Sequence, residues 1–143
     1  MRILYTAEAT AAGGRAGHVR SSDGNLEAKL VVPQEMGGPG GAGTNPEQLF
    51  AAGYAACFEN AMIGVARRQQ QTLEHSEVTA RVGIGPTAGG TYELTVALHI
   101  KLPGLERAAA EALVERAHQR CPYSNAVRGN IDVQLVIEEP PAS

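Results

Sequence analysis

The sequence predicts an α+β domain with the element order βββ-α-ββ-α-β, antiparallel sheets surrounding central buried helices. Three observations lead there. Alternating apolar and polar residues mark strands near both ends and in the middle of the 143-residue chain. Leu49 to Phe58 carries no charge and belongs to an apolar pattern too long for a strand. A second, amphipathic helical pattern separates the central strands from the last one.

The opening segment has strand-like pieces around Ile3 to Ala9 and Leu26 to Val32, with Gly13-Gly14 and Asp23-Gly24 between them; the second dipeptide favours a hairpin turn. A small antiparallel sheet is expected. Gly37 to Gly43 forms a glycine-rich loop leading into Thr44-Asn45-Pro46-Glu47, where capping residues, a proline and an acid mark a helix start. This helix is expected to run to about Gln69. Its first turns hold Ala51, Ala52, Gly53, Ala55 and Ala56, while Arg67 and Arg68 come at its end, so its early part is expected to be buried nearly all round.

Val78, Ala80, Val82 and Ile84 then alternate with polar or small residues, and after Gly85 to Gly90 the alternation resumes from Leu94 to Leu102. These are two half-buried strands of a hairpin. Leu105, Ala109, Ala112, Leu113 and Ala117 recur at helical spacing until Pro122 interrupts the pattern. On the last strand Ile131, Val133, Leu135 and Ile137 face away from Asp132, Gln134 and Glu138, ahead of a frayed Pro140-Pro141 tail. No repeat or linker divides the chain, so residues 1–143 read as one domain, short enough that dimerisation would help to bury its apolar surface.

Net charge is -3, with twelve basic residues scattered along the chain, so neither nucleic acid nor an anionic membrane is an expected partner. No apolar run approaches the ~20 residues of a membrane span, and Met1-Arg2-Ile3-Leu4-Tyr5 lacks a secretory apolar region. The expected location is the cytoplasm. In that reducing compartment a cysteine pair is catalytic, redox-active or metal-binding more often than a permanent staple.

The two cysteines stand 64 residues apart: Cys57 in the charge-free stretch and Cys121 at the head of Cys121-Pro122-Tyr123-Ser124. A buried cysteine can be inert packing. Activating one by ~2.5 to 3 pKa units takes roughly 4 kcal/mol of thiolate stabilisation. Cys57 lies too far into its helix for the dipole to supply this. One arginine at ~4 Å, with an effective dielectric near 20, contributes about 4 kcal/mol. Arg15, flanked by Gly13-Gly14 and Gly17, is a candidate, since glycines permit a close approach. Arg67 is not, lying ~15 Å along the same helix.

Two longer motifs add to this. Thr44-Asn45-Pro46-Glu47-Gln48-Leu49-Phe50-Ala51-Ala52-Gly53-Tyr54-Ala55-Ala56-Cys57-Phe58 resembles the signature of organic hydroperoxide resistance proteins, and the segment from Cys121 to Val133 is similar to their resolving-cysteine segment. Gly13-Gly14-Arg15 and Val82-Gly83-Ile84-Gly85-Pro86 match as well. The resemblance implies a thiol peroxidase of the wider family named after osmotically inducible protein C, an intertwined homodimer with two sites at its interface. By that likeness Cys57 attacks organic hydroperoxides, including fatty-acid-derived ones, and Cys121 resolves the resulting sulfenic acid as a disulfide. Arg15 carries over as the cation that stabilises the thiolate, and Glu47 as the carboxylate that positions Arg15. The resemblance also implies no bound cofactor, with dihydrolipoamide or dihydrolipoyl groups on lipoylated partner proteins as reductant.

Glu47 has a second reading, as the acid of a Thr44-x-x-Glu47 capping box. It also precedes Cys57 by ten residues, ~15 Å along a continuous helix. Either the helix breaks between them, or the Arg15 and Glu47 pair completes the site of a second subunit, as the resemblance implies. Glu59 would oppose thiolate formation if it pointed with Cys57, but i and i+2 project roughly 200° apart. Phe50 and Phe58 are expected to line an apolar pocket selecting alkyl peroxides. Tyr54 and Tyr123 are read as packing. Cys57, Cys121 and the four histidines lack metal-site spacing, so no metal is expected. Two rival functions remain: a hydrogen-peroxide-preferring sibling peroxidase, and a non-catalytic redox-sensing or binding module.

Overall fold

The computed structural model describes residues 1–138, and the expected Pro140-Pro141 tail lies outside them. The chain forms two compact units, Met1–Leu49 and a second that begins at Phe50.

In the first unit β1 (Ala9–Ala12), β2 (His18–Ser21) and β3 (Glu27–Lys29) form an antiparallel sheet in the order β1-β2-β3. The turn at Asp23-Gly24 joins β2 to β3, its Asp23 carboxylate accepting the Asn25 N–H at 2.9 Å and the Ser21 hydroxyl at 2.7 Å. The strand expected at Ile3 to Ala9 does not form. Pairing with β2 starts only at Ala9 opposite Ser21, and Ile3 and Leu4 are exposed; extended backbone without a ladder partner is not held as a strand. The strand expected over Leu26 to Val32 is likewise shorter, continuing past Lys29 only as a single bridge from Leu30 to Thr44.

α1 (Pro46–Arg68) runs without a break. Asn45 caps it, its Oδ1 accepting the Gln48 N–H at 2.8 Å, and Thr44 instead donates its hydroxyl to Gln48 Oε1 at 2.8 Å. There is therefore no capping box, and Glu47 is free for another partner. Tyr54, Phe58, Met62 and Val65 recur as one buried stripe. The early turns are not buried all round as expected: Ala52 and Ala56 are exposed, because the stripe covers a single face. By length and composition α1 is also apolar enough to cross a membrane. A core helix passes the same test, and α1 carries one buried stripe with the rest of its surface half-buried or exposed within the chain.

In the second unit β4 (Glu77–Pro86) and β5 (Tyr92–Lys101) pair antiparallel from Glu77 opposite Lys101 to Pro86 opposite Tyr92. β6 (Val133–Glu138) pairs with β5 in parallel, which corrects the expectation of purely antiparallel sheets. The reason is the connection: α2 (Arg107–Arg120) and α3 (Pro122–Val127) intervene, and such a crossover returns the chain in the same direction. The α1 stripe shares one core with Val96, Leu98 and Ile100 of β5 and Ala110, Leu113, Val114 and Ala117 of α2. Each large apolar side chain enclosed there contributes about 1.5–3 kcal/mol. Cys121 belongs to the same core.

Candidate thiol site

Pro122 determines where Cys121 sits. Lacking an N–H, proline cannot continue α2, and its ring drives the preceding residue out of the helical region. Cys121 accordingly has φ -64 and ψ 123, ending α2 and opening α3 with Pro122 at the first position. The bend turns its side chain inward, to 0% exposure. Cys57, one residue before Phe58 of the stripe, is half-buried at the edge of that core. Both cysteines are free thiols, and Cys121 Sγ lies 3.6 Å from Cys57 Sγ, positioned to donate to it. The fold thus brings the pair together across 64 residues.

Burial pushes the Cys57 thiol above its ordinary 9.0, opposed by a hydrogen bond from the Tyr123 backbone and reinforced by Cys121. These causes contain no cation. The Tyr123 amide is a thiolate-stabilising group that the sequence did not reveal, although its place two residues after Cys121 puts it at the start of α3, where amides point outward unpaired.

Arg15 and Glu47 meet in the first unit. Arg15 donates from Nη1 to Glu47 Oε1 at 2.7 Å and from Nη2 to Oε2 at 3.0 Å, the bidentate geometry that suits a guanidinium and a carboxylate. Gly13 (φ 86) and Gly14 (φ 58) supply left-handed backbone for the tight 3-10 turn Gly14–Ala16 that carries Arg15. Gly17 closes it, since a Cβ there would lie 1.8 Å from the Ala12 carbonyl. The Arg15 hydrogen bond holds Glu47 below its ordinary 4.5, and the Glu47 hydrogen bond raises Arg15.

Around the thiols, Phe50, Tyr54 and Tyr123 form an aromatic cluster with ring centroids 5.6–6.0 Å apart. Phe58, expected beside Phe50 in a pocket, is instead enclosed in the core at 0% exposure. Glu59 points away as expected, accepting the Ser76 hydroxyl at 2.8 Å. The histidines are dispersed: His18, His75 and His99 each lie beside a glutamate, and His118 meets Ser124. Among the described residues no group of three or more His, Cys, Asp or Glu side chains could hold a metal ion.

Gly53 makes room for Tyr123: a Cβ there would lie 2.6 Å from its hydroxyl and 3.1 Å from Cζ. Gly53→Ala should therefore destabilise the chain by about 1 kcal/mol, overpacking outweighing the helix propensity that alanine adds. In a Tyr123→Ala background the same change should become stabilising. Chemical denaturation of the four proteins measures both signs, and an equal effect in both backgrounds would refute the contact.

The family pattern described as OsmC-like protein matches residues 38–136. An organic hydroperoxide resistance protein of Xanthomonas axonopodis pv. citri is 55% identical over 137 residues, covering 95% of this chain and 96% of that one. The chain belongs to the OsmC family. A second relative of this OsmC-family chain, organic hydroperoxide resistance protein OhrB of Bacillus subtilis, is 46% identical over 136 residues and covers 94% of this chain and 98% of its own length. Among solved structures, an organic hydroperoxide resistance protein OsmC from Legionella pneumophila superposes with a TM-score of 0.92 at 53% identity, over 96% of this chain and 100% of that one. The α+β fold read from the sequence is the fold of the organic hydroperoxide resistance branch of the OsmC family, and the resemblance carried by the two cysteine motifs holds along nearly the whole chain.

Proposed function

We propose that this OsmC-family chain is a cysteine-based peroxidase that reduces organic hydroperoxides to alcohols. The observation that carries the reading is the approach of two free thiols to 3.6 Å across 64 residues, within a chain whose relatives are named for organic hydroperoxide resistance. The Cys57 thiolate attacks the distal peroxide oxygen; an S–O bond forms, the O–O bond breaks, and the alkoxide takes a proton to leave as alcohol. Cys121 then displaces hydroxide from the sulfenic acid, which leaves as water with the Cys121 proton, and a Cys57–Cys121 disulfide results. A dihydrolipoyl group on a partner protein, or dihydrolipoamide, returns both thiols and is itself oxidised to its cyclic disulfide.

The thiolate needs a cation, because burial in the second unit favours the neutral thiol. In the proposed enzyme Arg15 provides it and Glu47 orients Arg15. Glu47 stands ten residues before Cys57 on an unbroken helix, ~15 Å along its axis, so the pair serves Cys57 of a second copy in a homodimer. The exposed Ala52 and Ala56 of α1, and the exposed Ile3 and Leu4, supply apolar surface for that association. Phe50 and Tyr123 are the aromatic groups through which an alkyl chain is selected. The proposed enzyme works in the cytoplasm, without bound metal or cofactor.

Stopped-flow consumption of cumene hydroperoxide and hydrogen peroxide, with dihydrolipoamide for turnover, tests the reading. Faster reduction of the organic peroxide, with one alcohol released per Cys57 before turnover, is the expected result. Equal or faster reduction of hydrogen peroxide would move the chain to a hydrogen-peroxide-preferring role. Disulfide formation without turnover would indicate a redox sensor.

A further inference from the structure

Tyr54 and Ser124 are both fully buried, and polar groups in such places are kept when their hydrogen bonds are satisfied. They satisfy each other and His118. Tyr54 Oη lies 2.6 Å from Ser124 Oγ, and Ser124 Oγ lies 2.8 Å from His118 Nδ1. Counting protons sets the direction of the chain. The Tyr54 hydroxyl has no other acceptor among the described residues, so it donates to Ser124. Ser124 passes its single proton toward His118 Nδ1, which leaves His118 neutral with its proton on Nε2. Burial first, then Arg128, hold His118 below its ordinary 6.5 against the opposing Glu115, in keeping with that neutral form.

The placement of these residues is what gives them a role. His118 precedes Cys121 by three residues and Ser124 follows it by three, so both lie one turn from the bend, on either side. Tyr54 precedes Cys57 by three on α1. The hydrogen bonds therefore clasp the Cys121 bend from both sides and fasten it to the α1 turn that leads to Cys57. Resting on the peroxidase reading above, we propose that the Tyr54–Ser124–His118 chain is the positioning device of the disulfide-forming step. It holds the bend so that the Cys121 sulfur closes on the Cys57 sulfur once that atom carries oxygen. In that step the S–S bond forms, the S–O bond breaks, and the leaving hydroxide becomes water with the Cys121 proton. The sulfurs must close from 3.6 Å to about 2.05 Å. A displacement on the order of 1 Å at the bend is enough to lose the alignment. Among the described residues none of the three side chains is hydrogen-bonded to either sulfur; each acts through the placement of Cys121.

The test separates the two chemical steps. Reduced protein is mixed with an equimolar amount of cumene hydroperoxide, following alcohol release for the first step and loss of free thiols for the second. Ser124→Ala should slow disulfide formation by about tenfold or more, while alcohol release changes by less than about twofold. With excess peroxide, mass spectrometry should then show Cys57 sulfinic acid accumulating, because the sulfenic acid waits unresolved. Ser124→Thr, which keeps the hydroxyl, should recover most of the second-step rate. A disulfide formed at the wild-type rate in Ser124→Ala, equal slowing of both steps, or a Ser124→Thr protein as slow as Ser124→Ala would each overturn the proposal. If Ser124→Ala does not fold, Tyr54→Phe removes one hydroxyl from the same chain and is held to the same criterion. Failure of the peroxidase reading looks different: wild type itself would release no alcohol.

Discussion

Cys57→Ser should lose peroxide reduction by on the order of 10⁴-fold or more, the scale of removing an enzyme's nucleophile. The reason is chemical rather than steric. Sulfur donates an electron pair to the peroxide oxygen and is left as a sulfenic acid, an oxidation state that a serine oxygen does not reach. Serine is also a close isostere, and the half-buried site at the edge of the core should accept it with little loss of stability. The contrast with Cys121→Ser is what gives the experiment its power. That variant keeps the nucleophile and should release one alcohol per chain, then stall as a sulfenic acid that a small dithiol clears slowly. Measuring alcohol released per subunit, with and without dihydrolipoamide, distinguishes the two. A Cys57→Ser protein that still consumes cumene hydroperoxide would remove Cys57 from the mechanism.

Arg15→Ala should lower the rate of the first step by about 10²-fold near neutral pH. A thiol that burial holds above its ordinary 9.0 is almost wholly neutral near pH 7, whereas one brought below the working pH is mostly thiolate. Some of that gain is returned, because a less basic thiolate is a poorer nucleophile; loss of peroxide orientation acts in the other direction. The thiolate absorbance of Cys57 should titrate at higher pH in Arg15→Ala than in wild type, and an unchanged titration would sink the electrostatic account. Glu47→Gln should cost less, about tenfold, since it leaves the guanidinium charged but unclamped. The pair carries a pH signature of its own. Glu47 is held below 4.5 in the fold, so the stability it contributes is complete above about 4.5 and lost as pH falls through the lower folded value. Thermal unfolding between pH 3 and 6 should show this loss in wild type and a flatter profile in Glu47→Gln.

The element order was legible, apart from the short α3 that follows Cys121, because each signal is local. Alternation from Val78 to Ile84 and from Leu94 to Ile100 predicts the β4–β5 hairpin, and Asn45-Pro46 marks the start of α1 to within a residue. Failures arose where an element depends on a remote partner. Ile3 to Ala9 has strand composition, but a strand needs a ladder, which begins only at Ala9. The parallel direction of β6 depends on a crossover that periodicity does not encode. Phe50 and Phe58 look alike on the page, yet an offset of eight residues on a helix, together with what packs there, enclosed Phe58 and left Phe50 half-exposed. Glu47 fitted a capping box until Asn45 took the cap and Arg15 took the carboxylate. Tyr54, His118 and Ser124 stood three residues from the cysteines, a spacing that signals proximity on a helix without saying which hydrogen bonds form.

By itself the sequence determined the α+β order, the family resemblance and the identity of the two thiols, because short-range periodicity and motif chemistry are written in consecutive residues. Tertiary structure alone decided that the sulfurs approach to 3.6 Å, that Glu47 holds Arg15 in a bidentate pair, and that Tyr54, Ser124 and His118 form one buried chain. Each of these joins residues far apart in sequence, or selects one hydrogen-bond partner among several, and that choice is made by packing and by the need to satisfy every buried polar group.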